Sequence, residues 1–235
     1  MTCRTSLTAD ITIPVGAGTT LQAEYDRLAA DYDMRGFSAT FILSGTATGC
    51  LSARKPLVGG NLITIDGGGV TLNAGGAGKT AIGNFVSGMT INLRNVKISS
   101  WNGANSVVAV NGGIINMLDG IEFLNGEGDH ILASYGGQVF IKSNYTVSGG
   151  GLNHWHSYSG GYITATDITV NVTAGIWFVR WAGVADAGLI ARNVSYIGNI
   201  NGAKYLVHKN GFMEIGAATL PGSTPGETST GGVIA

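Results

Sequence analysis

The chain is 235 residues long, the size of a single domain, and its 44% hydrophobic content is enough to build a core. Charged residues make up only 11%, against roughly 25% in ordinary soluble domains, and the net charge is −1. The 13 Lys and Arg are scattered and build no basic stripe, which argues against nucleic acid as a partner, and the 39 glycines follow no Gly-X-Y period, which excludes a collagen-like rod.

Residues 1–18 read as an N-terminal arm with one strand signal, Ile11-Thr12-Ile13, closed by Pro14 and the glycines at 16 and 18. The arm has no apolar run of the roughly 7–15 residues that a secretion signal needs, and no window approaches about 18 uninterrupted apolar residues. Synthesis in the cytoplasm without membrane insertion is the expectation. Cys3 and Cys50 have no CxxC spacing for zinc, so two thiols are expected, and a Cys3–Cys50 bridge is open to the chain only outside a reducing cell. Thr19, Thr20 and Gln22 form a capping pattern, and Leu21, Tyr25, Leu28 and Tyr32 share one face, predicting a helix over 19–36 that stops at Gly36. Such a helix suits the open end of a β structure, where it covers apolar rungs and unpaired edges. Ser52 to Pro56 reads as a charged, solvent-facing loop. Gly-Ala-Gly-Lys-Thr at 76–80 lacks both the full spacing of a phosphate loop and the helix that follows one.

One pattern recurs beyond the helix. SGMTINLRNVKI, GGIINMLDGIEF, GGQVFIKSNYTV, GGYITATDITV and a looser AGLIARNVSYI open on Gly88, Gly113, Gly137, Gly161 and Gly188, at intervals of 25, 24, 24 and 27 residues. A fixed period of this size marks stacked repeats, and apolar residues alternate with polar ones inside each copy, which means strands. Polar residues of turn-forming type fall in register between the bursts: Asn95, Asp119, Asn144, Asp167 and Asn193. About 24 residues per coil is too short for a strand-helix-strand crossover and right for three strands and three bends. The predicted fold is all-β: a right-handed, single-stranded parallel β-helix over 37–208, of roughly six coils and about 30 Å. Residues 209–235 are predicted to form an extended tail.

The capping segment, SNYTVSGGGLNHWH at 143–156 and the close NINGAKYLVHKNGFMEIG…LPGSTPGETSTGGVIA at 199–235 resemble β-helical tail-fibre or tailspike-like virion proteins of tailed bacteriophages and prophages. The resemblance spans roughly 19–235 and departs at Val233-Ile234, where an aromatic is expected. It implies a virion component, homotrimeric, contacting other virion proteins and possessing a surface for a host glycan, with no cofactor. The low charge agrees with broad subunit contacts.

The alternative within that resemblance is a polysaccharide-degrading spike. Glycosidases need two carboxyls roughly 5–10 Å apart, and Glu122 with Glu127 or Asp129 is the cluster that could supply them; solvated loop charges are the plainer reading. Asp119 and Asp167 read as turn formers. His130 and His154 lie one period apart and are expected to stack as neutral rings, while His154 and His156 are expected on one side of a strand, an arrangement resembling the iron sites of some phage spikes. Trp101, Tyr135, Trp155, Tyr158, Trp177 and Trp181, with Arg180, form an aromatic set that suits a subunit interface or a sugar-binding strip.

Overall fold

The computed structural model describes residues 4–16, 18–45, 50–76 and 78–235. The chain winds as a parallel β-solenoid of about 9 turns at ~25 residues per turn, with one short helix. Its solenoid strands stack into three parallel sheets, beside a two-stranded pair of Thr5–Ser6 with Tyr32–Asp33. A ten-stranded long sheet runs from Ile11–Val15 to Val233–Ile234, an eight-stranded middle sheet from Leu51–Ala53 to Glu227–Thr228, and a six-stranded short sheet from Thr71–Gly75 to Ser195–Ile197. The body therefore exceeds the roughly six coils expected, and nine at about 4.8 Å give ~43 Å.

The period seen in the sequence is the register of the ladders. Ile63, Ile91, Ile115, Val139, Ile163 and Leu189 pair in succession across the long sheet, and all are fully buried. A slip of one residue would carry this whole column to the solvent face, so burial fixes the register. Between the long and short sheets Asn95, Asp167 and Asn193 hold φ values of 52°, 55° and 51°, the left-handed bend that Asn and Asp tolerate. The Asn193 amide also donates to the Asp167 carboxylate one coil below, at 2.9 Å. Between the middle and long sheets two left-handed residues come in succession, and Tyr135 at φ 49° is followed by Gly136 at φ 76°.

The helix spans Leu21–Asp31, shorter than predicted, because Tyr32–Asp33 leaves it to pair with Thr5–Ser6. Thr20 is the N-cap and accepts from the Ala23 amide at 3.1 Å. Leu21, Tyr25, Leu28 and Ala29 are buried, and the Gln22 side chain accepts from the Ser52 amide at 2.7 Å, covering the edge strand of the middle sheet. The segment 52–56 is consequently no plain solvent loop. The Tyr25 hydroxyl donates to the Lys55 carbonyl, Lys55 pairs with Asp26 at 2.9 Å, and Arg54 lies 4.1 Å over the Phe85 ring.

Both expected termini join the solenoid. Ile11–Val15 is the first rung of the long sheet, paired with Ala39–Leu43. In the tail, Glu227–Thr228 pairs with Leu206–Val207 and Val233–Ile234 with Phe212–Met213, building a partial last turn over buried Leu220. Thr80–Asn84, after the Gly-Lys-Thr string, is a strand and not the helix a phosphate loop requires. The Cys50 thiol donates to the Asn73 carbonyl at 3.3 Å and burial raises its pKa; Cys3 lies outside the described residues.

Replacing Ile115 by Ala should cost about 2–5 kcal/mol, while the same change at outward-facing Ile114 should cost under about 1 kcal/mol. Urea denaturation midpoints of the two variants measure the difference, and equal losses would contradict the assigned register.

Candidate functional site

The corner joining the short and middle sheets breaks the two-residue alternation. Ser106-Val107, His130-Ile131, His154-Trp155 and Trp181-Ala182 stack on one another, and both members of each pair are fully buried. This is why Trp155 and Trp181 are core residues, at 0% exposure, and not members of a surface strip. His154 turns inward while His156 faces out, so the two imidazoles do not share a side. Strict period two, applied across a bend, misplaced all three.

Inside the corner the side chains form a continuous hydrogen-bonded chain. The Trp155 indole N–H donates to the Tyr145 hydroxyl at 3.0 Å, and that hydroxyl meets His154 Nε2 at 2.7 Å. His154 Nδ1 faces His130 Nδ1 at 3.1 Å, and His130 Nε2 reaches the Gly150 carbonyl at 3.1 Å. An indole only donates and a carbonyl only accepts, which sets every proton between them. Tyr145 donates to His154, His154 donates from Nδ1 to His130, and His130 donates from Nε2 to Gly150. The two histidines meet edge to face, with ring planes at 85°, where stacking was expected. Burial lowers the His130 pKa to about 4 and holds His154 well below its ordinary 6.5, so both are neutral near pH 7.

Gly150 belongs to a surface cleft of about 580 Å³ directly above this chain. Its walls are Leu152, Ile176, Trp177 and Val179, and its polar rim includes Asn125 and Glu127. Trp177 is 60% exposed, and exposed Trp101 stands at the same corner nearer the N-terminus. Tyr135 and Tyr158 make a separate edge-to-face pair at the bend into the long sheet, with Tyr135 exposed and Tyr158 half-buried. The six aromatics therefore divide into two in the core, one lining the cleft, one at the same corner nearer the N-terminus and two at another edge.

The three carboxylates divide similarly. Glu122 sits on the outer face of the short sheet, and Ser148 at 2.6 Å and Lys97 at 3.0 Å lower its pKa. A catalytic acid requires the opposite shift. Glu127 is exposed and accepts from the Gly103 amide at 3.3 Å. Asp129 is buried, contrary to a solvated loop charge, and its two oxygens take the Asn153 amide at 2.6 Å and His156 Nδ1 at 2.7 Å. Each carboxylate thus engages different partners, and the Asp129–His156 pair is an association that sequence reading missed. The repeat could have placed Asn153 beside Asp129, since they are 24 residues apart. Nothing local signals that His156 leans back across the strand. Among the described residues no group of three or more side chains is arranged to hold a metal ion.

No family model, curated protein or solved structure matches the chain.

The buried histidines imply a pH dependence whose sign is fixed. They are neutral when folded but take up protons from pH 6.5 downward when unfolded, so their stabilisation is complete above 6.5 and is lost as pH falls below it, for His130 down to about 4. The expected loss approaches ~1.4 kcal/mol per pH unit per histidine within that window. Urea denaturation at pH 7 and pH 5 measures it, and equal midpoints would rule out a neutral buried pair.

Proposed function

We propose that the chain is a structural component of a tailed-phage particle, of the tail-fibre or tailspike kind, acting as a homotrimer in host-surface attachment. The observation that carries the attachment reading is the cleft walled by Leu152, Ile176, Trp177 and Val179, an open apolar concavity beside an exposed indole. Concave apolar sites with a few polar rim groups are the usual form of ligand sites, and aromatic faces supply binding area at low entropic cost. The virion and trimer parts rest on the sequence resemblance over 19–235 and on a charged content of 11%. A structural role is favoured over glycan cleavage because Glu122 and Asp129 are each tied to separate partners and Glu122 is held ionised.

Two measurements test this reading. Light scattering of the untagged protein should give a mass near three times 24.1 kDa, and mass spectrometry of purified particles should detect its peptides. Failure to find the chain in particles would end the virion assignment. Purified protein should compete with particles for host adsorption, and Trp177→Ala should weaken that competition by roughly 30-fold, the loss expected for a central aromatic anchor. An unchanged variant would move attachment away from the cleft.

A further inference from the structure

The cleft exists because of the glycine run at 149–151. Three successive coils meet there, joined by the Gly126 amide to the Gly150 carbonyl at 2.7 Å, by the Leu152 amide to the Gly128 carbonyl at 3.0 Å, and by the ladder pairing of Gly151 with Phe178. On the middle coil a Cβ at Gly149 would overlap the Asn125 backbone and one at Gly150 the Trp177 carbonyl, so neither position can carry a side chain. The coil on one side brings Glu127, and the coil on the other brings Trp177 and Val179. With the middle coil bare between them, these walls stand two strand spacings, about 9–10 Å, apart at the backbone. The opening of about 580 Å³ falls within the roughly 300–1,000 Å³ of ligand-sized concavities, so a small group has room to enter.

Formal charge in this cleft has one sign. Glu127 is its one ionisable lining residue, and neither Lys nor Arg lines it. Among the described residues Glu127 makes no ion pair, and its one hydrogen bond, from the Gly103 amide to Oε2 at 3.3 Å, leaves Oε1 free. Behind the floor His130 is neutral near pH 7 and puts no like charge under a cation. The remaining walls are the exposed Trp177 indole and the aliphatic side chains of Leu152, Ile176 and Val179. An indole face attracts a cation through its quadrupole, more strongly as water is excluded. A primary ammonium has three N–H donors and would leave some unpaired against aliphatic walls. A quaternary ammonium has none, and its methyl groups turn apolar surface to those walls while its charge faces the indole and the carboxylate.

We propose that the cleft binds a quaternary ammonium group of choline type, its methyl groups against Trp177, Leu152 and Val179 and its charge balanced by Glu127. The inference rests on the cleft as the attachment site and deepens that reading by naming the group it takes. Anionic ligands are disfavoured by Glu127, and a neutral ligand of the same shape gains the apolar contact but neither the cation–indole attraction nor the carboxylate.

The test is a titration of the full chain, with 15N-labelled indoles, by choline, by its uncharged isostere 3,3-dimethyl-1-butanol and by methylamine. Choline should shift the Trp177 indole resonance, assigned by its loss in Trp177→Leu, and bind about fivefold or more tightly than either of the other two. Glu127→Gln, which keeps an acceptor for the Gly103 amide but removes the charge, should reduce that preference, and Trp177→Leu should reduce it independently, with thermal melts confirming that both variants are folded. Phosphocholine and phosphatidylcholine vesicles separate the two sources of the same group: co-sedimentation with vesicles assigns a lipid headgroup, and binding of the soluble cations alone assigns a free or solute-borne one. Equal binding of choline and its isostere, a Trp177 resonance unmoved by choline, or a preference that survives both substitutions would overturn the proposal. No particle or host enters this experiment, so its failure leaves adsorption competition by Trp177→Ala to decide the cleft reading, and loss of the virion assignment would leave the ammonium preference intact.

Discussion

The in-register parallel ladder is the constraint on which everything else depends. Each residue has its counterpart one coil above and one below at the strand spacing of about 4.8 Å, so a choice made once must be satisfied repeatedly. Apolar columns meet this by close packing, as Ile63 through Leu189 do. Polar columns meet it by passing hydrogen bonds along the axis, as Asn116 does to Asn92 at 2.8 Å and Asn153 does to Asp129 at 2.6 Å. Columns therefore behave as units, and a group that finds no partner along its column stands out.

The same geometry gathers chemistry at one corner. Because two consecutive residues face inward there, the core receives long polar side chains as well as apolar ones, and His130, His154, Tyr145 and Trp155 can satisfy one another only in three dimensions. The residues just before them, Asp129, Asn153 and Arg180, lie side by side because they share one ladder position on successive coils. One bend thus carries the buried hydrogen-bonded chain on its inner side, the cleft on one flank and the polar group on the other.

Much of the architecture was legible in the sequence, because a period of 24–27 residues and a two-residue alternation are direct images of coil length and strand pleat. The capping helix was legible through Thr20, Leu21, Tyr25 and Leu28, though its end was not, since Tyr32 leaves for a strand pairing that depends on distant Thr5–Ser6. The terminal rungs were missed because strands of two residues have no periodicity to detect. The functional surface was legible only in part. Trp177 and Trp101 do lie outside, but Trp155 and Trp181 fall where the pleat is interrupted, and a one-dimensional alternation cannot register a corner. The Asp129–His156 contact joins residues 27 apart, close to one coil but offset across it, which the repeat alone does not specify.

The buried chain from Trp155 to Gly150 has a donor-only group at one end and an acceptor-only group at the other, with an unbroken relay between them. Its proton arrangement is consequently non-degenerate. No tautomer can flip alone, and a concerted reversal is forbidden at both ends. A core relay lacking both termini would have two arrangements of similar energy, with each imidazole averaged between them. Trp155 and Gly150 thereby give the interior a fixed polarity, whose accepting end lies at the cleft.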